Sequence, residues 1–178
     1  MSPFHIALWI VLGVALVISV ATDVVRRQIP DVVTYPLMAV GLGARLWAEG
    51  VGGLESGLVS GVISGVGLAL LLVPAALRGR MGWGDVKLMA GVGAVLGFPA
   101  VMAAAAFISL VGALQAVVTL LWQGAVWETL ADWLRRWAVR ARLMSEGAAS
   151  GPRRHIPYGV AIAVGTFWAM WWQHDRLG

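Results

Sequence analysis

Long apolar runs, broken by short polar stretches that hold most of the charge, organise this chain. A helix crossing the hydrocarbon core of a bilayer needs about 20 apolar residues. The pattern predicts six such helices, over residues 4–22, 32–47, 54–77, 86–98, 100–122 and 156–172. The fourth is short. At about 1.5 Å per residue it reaches roughly 20 Å, against a core of about 30 Å. Either the bilayer thins there or the helix begins below the surface, and both put the residues before it in a water-accessible recess. From 123 to 152 the chain turns polar, while Val126, Leu130, Trp133 and Trp137 recur at helical steps. Asp132 can meet Arg135 and Arg136 on such a helix. An amphipathic helix resting on the membrane surface is expected there, followed by a flexible linker over 145–152. The expected fold is all-α: a polytopic membrane helix bundle forming one domain over 1–178, with a cytoplasmic loop at about 123–155.

Composition agrees. Of 178 residues, 60% are hydrophobic and 12% charged, whereas soluble domains average about 25% charged. There is no cysteine, which excludes disulfides, thiolate zinc sites and a catalytic thiol. His5, His155 and His174 are scattered and suggest no metal cluster, and no cofactor is implied. The first apolar run has no basic stretch before it and no small-residue cleavage site after it, so it reads as a retained helix. The net charge of +4 is a matter of position. Eleven of the thirteen basic residues fall on one side of the predicted spans, with Arg45 and Arg176 on the other. By the positive-inside rule the crowded side is cytoplasmic and both termini lie outside. Nucleic acid is not an expected partner; the lipid bilayer is.

Small residues punctuate the third span. Gly53, Gly57, Gly61 and Gly65 recur every four residues, with Ser60 and Ser64 beside them. Gly91, Gly93 and Gly97 thin the fourth. Such patterns let helix backbones approach closely where no hydrophobic effect favours association.

Two carboxylates stand at span edges. An ionisable group at membrane depth costs about 2.5–3.5 kcal/mol on insertion scales, so Asp23 and Asp85 call for a use. Peptide hydrolysis needs such a pair: one carboxylate takes a proton from water and the other donates one to the carbonyl oxygen. Held a few ångströms apart, they share a proton. Here they are separated by 62 positions, so the first and fourth spans would have to be neighbours. Simpler uses exist. Asp85 could be a helix N-cap, Asp23 could pair with Arg26 or Arg27, and Asp31 reads as the N-cap of the second span. Gly82 and Gly84 allow irregular backbone before Asp85 that could receive an extended substrate. Lys87 could neutralise a substrate carboxylate, act on the aspartates, or snorkel to the interface.

Three blocks resemble the prepilin peptidase family, membrane aspartyl proteases with a Gly-x-Gly-Asp motif. They are Asp23-Val24-Val25-Arg26-Arg27-Gln28-Ile29-Pro30-Asp31, Gly82-Trp83-Gly84-Asp85-Val86-Lys87-Leu88, and Ile156-Pro157-Tyr158-Gly159-Val160-Ala161. The resemblance implies that Asp23 and Asp85 are catalytic. Gly82, Gly84, Lys87, Pro157, Tyr158 and Gly159 would bind substrate or shape the site. Asp31 stands where the family usually has asparagine, and Val160 where proline is common. Bifunctional members also carry a cysteine-bearing cytoplasmic insertion, for which this chain has neither cysteines nor room. It resembles the short, peptidase-only branch found with tight-adherence (Flp) pili. That implies removal of a short basic leader from a prepilin or pseudopilin precursor at the cytoplasmic face of a bacterial inner membrane. A homo-oligomer is compatible with the sequence and not implied by it. Archaeal preflagellin peptidases and presenilin-like proteases share the Gly-x-Gly-Asp motif, but the Ile-Pro and Pro-Tyr-Gly blocks favour the bacterial branch. The competing classes are a proton-coupled transporter, whose relay aspartates should lie mid-span, and a non-catalytic assembly scaffold for pili or secretion.

Overall fold

A computed structural model describes residues 3–26, 28–79, 81–122 and 158–177, together with 127, 128, 130, 131, 134 and 137. The described residues form helices and no strand: α1 (Pro3–Arg26), α2 (Asp31–Glu49), α3 (Gly57–Leu77), α4 (Trp83–Leu96), α5 (Ala100–Trp122) and α6 (Tyr158–Leu177). Three are long and apolar enough to cross a membrane: His5–Arg26, Gly57–Leu77 and Ala100–Trp122.

The helix ends differ from the hydropathy pattern in instructive ways. The first apolar run stops at Thr22, yet α1 continues to Arg26, because a basic residue in the last turn complements the partial negative charge there. Asp31 is not the N-cap of α2. Pro30 holds that position in extended conformation, and Asp31 is the first helical residue. α3 starts at Gly57, so Gly53 falls in the preceding loop with no atom near enough to touch a side chain there.

The chain divides into two compact units, Met1–Gly112 with Pro157–Gly178, and Ala113–Ile156. In the second, α5 ends at Trp122, and Trp127, Glu128, Leu130, Ala131, Leu134 and Trp137 are helical. Trp127, Leu130, Leu134 and Trp137 are exposed. Val126, Asp132, Trp133, Arg135 and Arg136 of the expected amphipathic helix lie outside the described residues.

In the first unit α4 is central. It packs most extensively on α3, then on α2, and also meets α1 and α6. Ten of its fourteen residues are buried. A helix enclosed by others need not reach across a bilayer, which accounts for its length. The contact with α3 is made by small residues: a Cβ on Gly93 would collide with the Ser64 backbone, and one on Gly65 would lie 2.8 Å from the Ala90 carbonyl oxygen. On the α2 side, Gly41 meets Val95 and Gly91 meets Leu37. α6 closes against α5, where Gly165 abuts the Ile108 backbone and Phe107 stacks on Trp168 at 5.0 Å. Leu12, Leu16, Leu88, Met89, Ile108 and Ile162 fill the core.

Candidate active site

The C-terminal end of α1, the first turns of α2 and α4, and the start of α6 meet at one end of the first unit. Asp23, in the last turn of α1, is 4% exposed, and Asp85, in the first turn of α4, is 6% exposed. Each carboxylate is held by one backbone amide. The Gly159 N–H donates to Asp23 Oδ2 at 3.1 Å, so the N-terminus of α6, with its free amides and positive dipole end, points at Asp23. The Gly82 N–H donates to Asp85 Oδ2 at 3.2 Å. Asp85 is thus the third residue into α4 and reaches back to its N-cap, Gly82, rather than being the cap itself. Its other oxygen, Oδ1, is buried with no hydrogen-bond partner among the described residues. A buried carboxylate oxygen without a partner is expensive.

Asp23 and Asp85 lie within electrostatic reach of each other, and Asp85 within reach of the Tyr158 hydroxyl. Among the described residues Asp23 has no ion pair; Arg27, one of its expected partners, lies outside them.

The glycines are where side chains would not fit. A Cβ on Gly84 would lie 2.9 Å from Ile29 Cβ and 3.2 Å from the Ile29 carbonyl oxygen. A Cβ on Gly159 would lie 2.7 Å from Asp23 Oδ2. One on Gly82 would make ordinary contact with Asp85 Oδ2, at 3.4 Å. Tyr158 packs its ring and hydroxyl against Gly112 of α5. Pro157 lies outside the described residues.

Lys87 does not join the aspartates. Its ammonium binds both oxygens of Asp31, at 2.7 and 2.8 Å, and stands 5.0 Å from the centre of the Tyr35 ring. That contact ties the start of α4 to the start of α2. Ile29 was not singled out from the sequence. Its signal was its place beside Pro30, and its role is to be the buried surface on which Gly84 closes.

The three sequence blocks therefore interlock: Asp23 with Gly159, Ile29 with Gly84, and Asp31 with Lys87. A family model, the type IV leader peptidase family, matches residues 10–117, more than half of the chain. The chain belongs to this family. No curated protein and no solved structure matches it. The matched stretch of this leader peptidase includes Asp23, Ile29, Asp31, Gly82, Gly84, Asp85 and Lys87, and ends before Tyr158. With its apolar helices, membership makes the chain a membrane peptidase.

Proposed function

We propose that the leader peptidase is a two-aspartate endopeptidase of the bacterial inner membrane. It removes the short basic leader from prepilin or pseudopilin precursors, as expected of the peptidase-only branch associated with Flp pili. One observation carries this reading: two buried carboxylates, 62 positions apart in sequence, lie within electrostatic reach of each other at one end of the bundle.

The chemistry follows from like charges that cannot both ionise at short range. One proton is then shared between the two. The ionised aspartate takes a proton from water as its oxygen attacks the scissile carbonyl carbon. The protonated one gives its proton to the carbonyl oxygen, forming a tetrahedral diol. Collapse breaks the C–N bond, with a proton passing from the first aspartate to the departing nitrogen and one from the diol hydroxyl to the second. Burial strengthens each of these charge interactions. Gly159 and Gly82 hold the carboxylates in place. The transporter reading asks for mid-helix aspartates, whereas Asp23 and Asp85 occupy a last and a first turn.

The six helices are proposed as membrane-crossing or membrane-embedded elements of a single domain, with the aspartates at the cytoplasmic face and both termini outside. The test is co-expression with a pilin precursor, scoring leader loss by gel shift. D23N and D85N are each expected to abolish cleavage while the purified variants keep the parent's elution volume and melting temperature. D31N is expected to be mild, because the Asp31–Lys87 pair is half-exposed and such pairs contribute little. Full cleavage by D23N or D85N would refute the reading.

A further inference from the structure

Arg45 lies at the other end of α4 from Asp85 and is 7% exposed. Its Nε donates to the Val95 carbonyl at 3.2 Å. Its Nη2 donates to Val95 O at 3.1 Å and also to Leu96 O. Its Nη1 reaches Glu49 Oε2 at 3.3 Å. The same Glu49 oxygen accepts the N–H of Gly57, the first residue of α3, at 2.5 Å. Gly61 of α3 covers the arginine stem, where a Cβ would lie 2.9 Å from Cδ. Gly97, the C-cap of α4 at φ 64°, lies flat against the guanidinium, and any side chain there would strike it. One cation thus gathers the ends of α2, α3 and α4, and it satisfies carbonyls that the helix leaves unpaired.

Where α4 meets α2 and α3 at its glycines it is smooth: Gly91 and Gly93 face Leu37 and the Ser64 backbone without projecting side chains, while Leu88, Met89 and Val92 project into the core. Surfaces of this kind set the distance between helix axes but resist sliding along them weakly. At the start of α4, the Lys87–Asp31 contact is half-exposed. Among the described residues, the buried hydrogen bonds that another helix makes to α4 are therefore at its far end.

We infer that Arg45 is a positioning residue for the aspartate pair: by gripping the last carbonyls of α4 it fixes that helix along its axis, and so fixes where Asp85 stands against Asp23. This rests on the aspartate pair being the catalytic one. A slip of one residue is about 1.5 Å, and a misplacement of about 1 Å costs on the order of 10²-fold in rate.

The absence of native cysteine gives a direct test. A Cβ on Gly91 would lie 3.6 Å from Leu37 Cβ, inside the range of about 3.5–4.5 Å that a disulfide spans. The L37C change also removes the Leu37 Cδ2 that the new Cβ would meet at 2.8 Å. The L37C/G91C pair can therefore pin α4 to α2 independently of Arg45. In the purified, detergent-solubilised enzyme, R45M is expected to lower kcat about 10²-fold with little change in KM, and R45K less so. R45M is also expected to slow disulfide formation in L37C/G91C. Once formed, that disulfide should restore kcat to within a few-fold of oxidised L37C/G91C with Arg45 present, and reduction should remove the gain.

Unchanged kcat in folded R45M overturns the inference. So does a disulfide that forms at the parent rate, or one that forms and restores nothing. If R45M does not fold, R45K and the oxidised R45M/L37C/G91C protein give the same readouts. The underlying reading fails separately, by activity in D23N or D85N. The rate of disulfide formation needs no activity and reports the position of α4 in either case.

Discussion

Glycine 159 shows how little room the site leaves. Its amide holds Asp23, and its missing side chain is what lets Asp23 approach, since a Cβ would sit 2.7 Å from Oδ2 and 3.2 Å from Cγ. Gly84 does the same for Asp85 by letting the first turn of α4 close on Ile29. G159A and G84A are therefore expected to reduce leader cleavage by on the order of 10²-fold, through displacement of one carboxylate from the other. Gly43 is the control. It lies in α2 with no atom within 4 Å of a Cβ, so G43A should leave cleavage intact and stabilise the helix by about 0.5–1 kcal/mol. Leader-loss kinetics and thermal melts on the three variants separate crowding at the site from general intolerance of alanine. Asp85 is not the helix cap: one of its oxygens accepts the N–H of the N-cap, Gly82, and the other is buried with no partner among the described residues.

At the scale of the helix, α4 is short because of where it sits. Surrounded by α1, α2, α3 and α6, it buries most of its residues and needs small ones where backbones touch. The glycine spacing announced close packing, but not which glycines would meet a neighbour. Gly61, Gly65 and Gly93 do and Gly53 does not, while Gly67, outside that spacing, has nothing within 4 Å of a Cβ. Spacing along one chain carries no information about the facing helix. G93V should force α3 from α4, because its side chain would enter the Ser64 backbone. Overpacking typically costs about 1–3 kcal/mol, and the expected result is a lower melting temperature with loss of cleavage. G67V, pointing into open space, should change neither.

For the whole molecule, the proposed sidedness, with the aspartate end in the cytoplasm, rests on the pattern of arginine and lysine. Cysteine-free wild type allows single-site labelling in intact cells. R78C, in the connection between α3 and α4, should be shielded from an impermeant maleimide until the inner membrane is permeabilised. G53C, in the loop between α2 and α3 where nothing crowds a new side chain, should react once the reagent has passed the outer membrane. The reverse labelling pattern would put the aspartates outside and sever the link to precursors processed before export.

The sequence by itself determined that the chain is helical and apolar, and approximately where its helices lie, because helix formation and lipid burial depend on runs of neighbouring residues. It also marked Asp23, Asp85 and the glycines around them, because charge and backbone freedom are out of place in such runs. The nearness of Asp23 to Asp85, the docking of Gly159 on Asp23, the diversion of Lys87 to Asp31 and the grip of Arg45 on α4 were decided by tertiary structure. Each joins residues 50 or more positions apart, and only the packing of whole helices, through the few places where small residues let backbones touch, selects which of them become neighbours.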